Sequence, residues 1–79
     1  LERIGEGEAF LREQGFPTVR LRLHGEVARI EIPKGDFGKF LRQSQEISEK
    51  LRQQGFSYVT LDLHGFRSGS MDENLKIKK

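Results

Sequence analysis

Alternating apolar and polar residues predict three short β-strands in this chain. In residues 18–24, valine or leucine stands at every second position, and residues 57–63 repeat the alternation. Residues 26–32 carry the pattern of a return strand between them. Because successive side chains of a strand point to opposite faces, one face of the predicted sheet is apolar and the other is polar.

Two stretches with helical spacing of apolar residues alternate with these strands. In residues 1–14 and 36–54, apolar side chains recur on one face of a helix. Glu8 falls on the apolar face of the first helix, which is an awkward position for a carboxylate. The predicted order is α-β-β-α-β. Helices with one apolar stripe and strands with one apolar face form a two-layer sandwich of the α+β class.

A Gly-Phe pair follows each predicted helix, at Gly15-Phe16 and again at Gly55-Phe56. Glycine enters the left-handed conformation that commonly ends a helix, and an apolar residue after it packs back on the last turn. We therefore expect both glycines to be left-handed, with both phenylalanines under their helices.

The helix–glycine–strand unit is an internal repeat, because LREQGFPTVRLRLHG at residues 11–25 returns as LRQQGFSYVTLDLHG at residues 51–65. The second unit is preceded by the strand 26–32. A complete duplication would place a further strand ahead of Leu1, and the order would then be β-α-β-β-α-β, the split βαβ arrangement of ferredoxin-like folds. We predict an incomplete ferredoxin-like fold. The alternative is a complete three-stranded α+β domain.

The polar face of the predicted hairpin is rich in arginine. With His24-Gly25 as a two-residue turn, Arg20 lies directly opposite Arg29 and Glu31 lies on the diagonal. Like charges directly opposite are unfavourable unless a carboxylate or a bound anion lies between them. Two interpretations follow: a solvated Arg–Glu–Arg cluster, or a site for an anion, a phosphate or an acidic protein surface.

Composition adds limits rather than a function. The 79 residues carry 14 basic and 12 acidic side chains and no cysteine. A net charge of +2 is too small to indicate nucleic acid, and an RNA-binding sheet would need more outward aromatic residues than Tyr58. No apolar run of transmembrane length is present, so we expect a cytoplasmic protein without membrane contact.

Residues 1–66 are predicted as one α+β domain, and residues 67–79 as a Gly/Ser loop with a basic tail. In the sequence GFRSGS, Arg67 and the backbone N–H groups are a weak candidate for a phosphate cradle. His24 and His64 stand at equivalent turns without a third ligand in view, so we predict no metal site.

Three stretches resemble a known family: LERI followed by EAFLREQGF, then VRLRLHGEVARIEIP, then ISEKLRQQGFSYVTLDLHGFRSGSMDE. They resemble the C-terminal region of the ATP-dependent sacrificial sulfur transferases, the LarE family of the PP-loop pyrophosphatase superfamily. The resemblance covers residues 1–75. Members activate a substrate carboxylate with ATP and donate the sulfur of their own cysteine during synthesis of the nickel-pincer nucleotide cofactor.

The resemblance implies that ATP and Mg²⁺ bind to an N-terminal PP-loop domain, because this chain has neither the SGGxDS phosphate loop nor a cysteine. It also implies auxiliary catalytic roles for Glu8, Arg20 and Glu31. The charged face adds Arg22 and Arg29 as substrate- or anion-binding candidates. Arg67, from GFRSGS, joins that group.

The predicted function is therefore that of a C-terminal, substrate-facing and oligomerising domain of such a sulfur transferase. It is not expected to catalyse the reaction alone, and its partners would be a PP-loop ATP pyrophosphatase domain, in cis or in trans, and further copies of itself. The alternative is a stand-alone, non-catalytic module of the same fold that binds an anion or a protein.

Overall fold

The computed structural model describes residues 2–67. The described chain is of the α+β class, with one three-stranded mixed sheet and three α-helices. The elements are α1 (Glu2–Glu13), β1 (Arg20–His24), β2 (Val27–Glu31), a 3-10 turn (Lys34–Asp36), α2 (Phe37–Arg42), α3 (Ser44–Gln53) and β3 (Tyr58–Leu61). No helix in this described range is long and apolar enough to cross a membrane. All but the first residue of the predicted tail 67–79 lies outside it.

The predicted single helix 36–54 is two helices. Gln43, with φ of −105° and ψ of 15°, separates α2 from α3. The backbone N–H of Gln43 donates to the carbonyl of Phe40, and its own carbonyl accepts from Ile47. Phe40 and Ile47 are both buried in the same core, so the break changes the path of the chain without giving up the apolar stripe that predicted the helix.

The strand β2 is the middle strand of the sheet, antiparallel to β1 and parallel to β3. The backbone of β3 bonds directly to that of β2, for example from Asp62 N–H to the Ile30 carbonyl at 2.9 Å. A split βαβ arrangement requires another strand between these two. The ferredoxin-like split is therefore not confirmed, and the three-stranded alternative describes residues 2–67.

The hairpin turn is at Gly25-Glu26, one residue later than predicted. His24 pairs with Val27, and Arg22, not Arg20, lies opposite Arg29. Gly25 has φ of +61° and Glu26 does not have a positive φ, which fits a type II′ turn with glycine first rather than the predicted glycine-second turn. Moving the turn by one residue shifts each cross-strand partner by two, so every side chain keeps its predicted face.

The third strand is shorter than the predicted 57–63, and Leu63 is not an inward residue. The Asp62 carboxylate accepts the backbone N–H of His64 at 2.9 Å, and the Asp62 carbonyl accepts that of Gly65 at 3.0 Å. An aspartate that bonds its own backbone two residues on starts a turn. The turn carries the chain away from the sheet, and Leu63 is 73% exposed.

The core lies between the helices and the apolar face of the sheet. Eleven apolar residues are buried there, from every helix and from strands β1 and β2: Leu11, Phe16, Val19, Leu21, Ala28, Ile30, Ile32, Phe40, Ile47, Leu51 and Phe56. This set contains the inward positions predicted for the first two strands, except that Leu23 is only partly buried. Val59 and Leu61 of β3 are also partly buried, because β3 is at the edge of the sheet.

Both helix ends have the predicted left-handed glycine, since Gly15 has φ of +108° and Gly55 has φ of +112°. After each glycine, the phenylalanine N–H donates back five residues. Phe16 donates to the carbonyl of Leu11 at 3.1 Å, and Phe56 donates to that of Leu51 at 3.2 Å. This is the Schellman pattern, and both phenylalanines are buried.

A cation from the opposite helix covers each of these ends. Arg3 in α1 donates to the Gly55 carbonyl at 3.0 Å and lies 5.1 Å from the centre of the Phe56 ring. Lys39 in α2 donates to the Gly15 carbonyl and lies 4.9 Å from the centre of the Phe16 ring. Positive charge is favourable at the C-terminal end of a helix, so these contacts tie the two repeats together.

We expect Gly15→Ala to lower the free energy of unfolding by about 1 kcal/mol, because a Cβ is strained at positive φ. Urea denaturation of the two proteins measures it. Gly5→Ala is the matched control, since Gly5 is exposed within α1 with open space around its Cα, and this change should stabilise by about 0.5 kcal/mol or more. An unchanged midpoint for Gly15→Ala would contradict the strain argument.

Candidate functional site

The face of the sheet opposite the helices carries the charged residues, in rows that cross the strands. One row contains Arg20 of β1 and its partner Glu31 of β2. The next row contains Arg22, Arg29 and Thr60, one from each strand. Asp62 follows directly after β3 and extends the first row. We call this surface the polar face; it consists of these residues with Phe66 and Arg67, which follow the turn after Asp62.

Glu31 is the buried charge of the polar face, with 4% of its surface exposed. Its Oε2 atom lies 3.2 Å from Nη2 of Arg29 and 3.4 Å from Nε of Arg22. A buried carboxylate is costly unless it is paired. The two guanidinium groups offset that cost, and Glu31 in turn separates two arginines that stand directly opposite each other.

Asp62 is the second carboxylate of the polar face, and its side chain is 13% exposed. Its Oδ2 atom lies 3.8 Å from Nη1 of Arg29 and 4.0 Å from Nη2 of Arg67. These distances are too long for hydrogen bonds, so the attraction is mainly Coulombic. Arg29 thus lies between both carboxylates, and the charges alternate from Arg22 to Arg67.

Arg20 is not paired with its cross-strand partner Glu31. Its guanidinium carbon instead lies 5.3 Å from the centre of the Phe66 ring. Among residues 2–67 the Arg20 side chain makes no ion pair or hydrogen bond. The prediction that Arg20, Arg29 and Glu31 form one close cluster is therefore correct for Arg29 and Glu31, whereas Arg22 takes the position expected of Arg20.

Glu8 holds the outer edge of β1. Its Oε2 atom accepts the backbone N–H of Leu21 at 2.8 Å, and its Oε1 atom lies 3.4 Å from Arg12. An edge strand exposes unpaired N–H groups, and this carboxylate satisfies one of them. The contact explains a carboxylate beside the apolar stripe of α1. It places Glu8 apart from the Glu31 cluster rather than within it.

The predicted site residues included neither Asp62 nor Phe66, although the alternation of the third strand places Asp62 on the polar face. A signal for Asp62 was present, because the second repeat has aspartate where the first has Arg22. Arg22 pairs with Glu31, whereas Asp62 lies near Arg29. The substitution between repeats therefore gives β2 a positive neighbour, Arg22, on the β1 side and a negative neighbour, Asp62, on the β3 side. For Phe66 the sequence gives no signal, since the turn after Asp62 brings it over Arg20.

The charged side chains of the polar face are mainly arginines. Among residues 2–67, the strands place three arginines, Arg20, Arg22 and Arg29, on the same face as the two carboxylates Glu31 and Asp62. In the part of the chain that the structure describes, no three His, Asp or Glu side chains converge on a common point. His64 is exposed beside Asp62, with Nδ1 at 4.0 Å.

An open cleft lies at the other end of the sheet. It runs between the end of α3 and the start of β3 and contains Glu26, Arg52 and Tyr58. The Glu26 carboxylate accepts a hydrogen bond from the Ser57 hydroxyl there at 2.6 Å. None of the predicted site residues lines the cleft, so its chemistry is separate from that of the polar face.

We expect Arg29→Met to destabilise the fold by about 2 kcal/mol, because it leaves Glu31 with one exposed cationic partner and Asp62 with less compensation. This is below the roughly 3–5 kcal/mol typical of fully buried pairs, since the Arg29 side chain is 34% exposed. Urea unfolding measures the change.

The matched variant Arg29→Met/Glu31→Gln should recover part of that loss, because the buried negative charge has gone with its partner. Arg22→Met, at a side chain that is 45% exposed, should cost less than Arg29→Met. Equal costs for the two arginine variants would contradict the central position given to Arg29.

The comparison with known proteins gives relatives over nearly the whole chain, although no protein-family model matches it. The chain is 47% identical over 75 residues to the pyridinium-3,5-bisthiocarboxylic acid mononucleotide synthase of Lactiplantibacillus plantarum. The match covers 95% of this chain and 27% of that protein. An uncharacterized protein of Synechocystis sp. is 38% identical, covering 95% of this chain and 29% of that protein. An uncharacterized protein of Methanocaldococcus jannaschii is 35% identical, covering 86% of this chain and 27% of that protein.

The chain spans less than a third of the length of these curated relatives. The similarity agrees with the motifs in the first and second repeats that indicated the family from sequence. On this evidence the chain matches the C-terminal domain of a LarE-family protein.

Proposed function

We propose that this chain is the C-terminal, substrate-facing domain of an ATP-dependent sulfur transferase of the nickel-pincer nucleotide cofactor type. Its role is to hold an anionic group of the substrate against the polar face. The single observation that carries this proposal is the charge of that face, where, within residues 2–67, the three strand arginines Arg20, Arg22 and Arg29 outnumber the carboxylates Glu31 and Asp62. The relative from L. plantarum is named for a product that is both a carboxylic acid derivative and a mononucleotide.

The arginines have different roles in this proposal. Arg29 lies between two carboxylates and is mainly structural, which revises its expected role in anion binding. Arg22 contacts Glu31 through Nε and its side chain is 45% exposed, so we assign its terminal amino groups to ligand binding. Arg20 is the second ligand-facing cation. Arg67, which lies 4.0 Å from Asp62, remains a proposed anion-binding residue. A guanidinium group recognises carboxylate and phosphate with paired N–H donors.

Glu31 contacts Arg22, one of the ligand-facing arginines of this arrangement. In the proposal it orients Arg22, and the catalytic proton transfer expected from the family resemblance remains a proposed role for Glu31. Glu8, at the edge of β1, acts through the backbone of Leu21 by fixing the strand that carries Arg20 and Arg22. It is therefore proposed as a positioning residue.

The chemistry of the complete reaction requires partners that this chain does not contain. The 79 residues have no cysteine, so a sulfur donor and a PP-loop domain that binds ATP and Mg²⁺ would come from the rest of a longer protein or from a separate one. The second candidate is a non-catalytic module that binds an anion or an acidic protein surface through the same arginines. Pyrophosphate binding by this chain, combined with wild-type sulfur transfer in a full-length protein that carries Arg20→Ala, would support that candidate.

Assembly with another strand is part of the proposal. Within residues 2–67, β3 has a strand partner on one side only, and its outer edge is where a fourth strand would pair. That strand would come from a second copy or from the remainder of a longer protein. Light scattering of the 79-residue chain should show at least a dimer at high concentration, and a monomer throughout would favour the second source.

Arg20→Ala in the full-length protein should lower the rate of sulfur transfer at least tenfold, because it removes a ligand-facing cation. The free energy of unfolding should change by less than about 0.5 kcal/mol, because Arg20 makes no ion pair in the described residues. Single-turnover product formation and urea unfolding measure the two effects. Arg52→Ala, an exposed arginine of α3 beside the remote cleft, is the control and should change neither. Wild-type activity in Arg20→Ala would refute the proposed role of the polar face.

A further inference from the structure

The position of Arg20 is not explained by its cross-strand neighbour. Arg20 and Glu31 are directly opposite, and opposite charges so placed normally attract each other. Glu31 is instead occupied by Arg22 and Arg29. The guanidinium of Arg20 is turned to the ring of Phe66, at 5.3 Å from its centre, which is within the range of a cation–π contact.

The backbone holds Phe66 in that place. Its N–H donates to the Ile32 carbonyl at 2.7 Å, just beyond the end of β2. Gly65, the residue before it, is buried, and a Cβ on Gly65 would lie 3.2 Å from that same carbonyl oxygen and 3.0 Å from Cγ of Lys34. The close approach of the two segments therefore requires glycine. The segment after β3 thus crosses the end of the sheet next to Ile32, and the Phe66 ring reaches Arg20 of β1.

An aromatic ring fixes a cation without neutralising it. A carboxylate partner would cancel the charge of Arg20 and use its N–H donors, as Glu31 does for Arg29. The ring of Phe66 attracts the guanidinium through its π electrons but offers its N–H groups no carboxylate oxygen. Arg20 consequently keeps its full charge and its donors on the polar face.

We infer that Phe66 is a positioning residue of the anion site, and that its ring holds Arg20 ready to bind a carboxylate or phosphate group. This inference rests on the proposed function, because it takes the polar face to be the anion site. It adds a residue of the turn segment after β3 to a site otherwise built from strand residues. It also gives a reason for the glycine–phenylalanine pair at the end of the second repeat, where the first repeat continues as Gly25-Glu26.

The test uses the 79-residue chain at low ionic strength, with inorganic pyrophosphate as the probe. Phe66→Leu removes the ring and keeps an apolar side chain, whereas Phe66→Tyr keeps the ring. We expect Phe66→Leu to raise the dissociation constant about fivefold and Phe66→Tyr to stay within about twofold of wild type. The side-chain protons of Arg20 should be shifted upfield by the ring in wild type and Phe66→Tyr, and should lose that shift in Phe66→Leu.

Phe10→Leu is the matched control, because Phe10 in α1 is also partly buried beneath a cation. Lys50 lies 6.0 Å from its ring centre, away from the polar face. Phe10→Leu should leave the dissociation constant unchanged. A double variant, Arg20→Ala/Phe66→Leu, should bind no more weakly than Arg20→Ala alone, because Phe66 acts through Arg20.

The outcomes separate this inference from the proposed function. If the wild-type chain does not bind pyrophosphate, or if Arg20→Ala binds as well as wild type, the proposed anion site fails and the role of Phe66 fails with it. If those two results hold but Phe66→Leu binds normally, only the role of Phe66 fails. Additive losses in the double variant would show that Phe66 merely stabilises the turn segment, and would likewise overturn the inference alone.

Discussion

The arrangement of the polar face follows from one constraint, the burial of the Glu31 carboxylate. A negative charge that is 4% exposed must be compensated by nearby cations. Arg22 and Arg29 supply that compensation, although they stand directly opposite each other and would otherwise repel. Because both arginines pair with Glu31, Arg20 has no carboxylate partner among the described residues and contacts the Phe66 ring instead. The division of the arginines into structural and ligand-facing groups thus begins at Glu31.

The internal repeat gives this face its asymmetry. Its two copies place β1 and β3 on either side of β2, and the equivalent positions Arg22 and Asp62 therefore reach the central strand from opposite sides. One pairs with Glu31 and the other approaches Arg29. What the two copies share, the helix end and the alternating strand, builds the common core. What differs between them sets the charge, and the excess of arginine supports the proposed binding of an anionic substrate group.

The two helix ends are also built alike. Each ends in a Gly-Phe pair, and each pair is contacted by a cation from the other repeat. Arg3 covers the end of α3 and Lys39 covers the end of α1. Each cation bonds a glycine carbonyl and lies against the following phenylalanine. Because each repeat supplies the cation that the other receives, the two halves are not independent units. The sheet that carries the arginines of the polar face packs against the resulting helical layer.

The sequence by itself determined the helix–glycine–strand units, the α+β class and the face on which each strand residue lies. These depend on local periodicity and on the special conformation of Gly15 and Gly55, which need no knowledge of distant contacts. Only the tertiary structure decided the partner of each residue. The turn at Gly25-Glu26 moved the register by two, the direct pairing of β2 with β3 left no space for a strand between them, and the turn at Asp62 brought Phe66 to Arg20. In each case, more than one arrangement satisfies the same apolar pattern. Backbone hydrogen bonding and charge compensation between distant segments determine which arrangement forms, and the apolar pattern does not encode them.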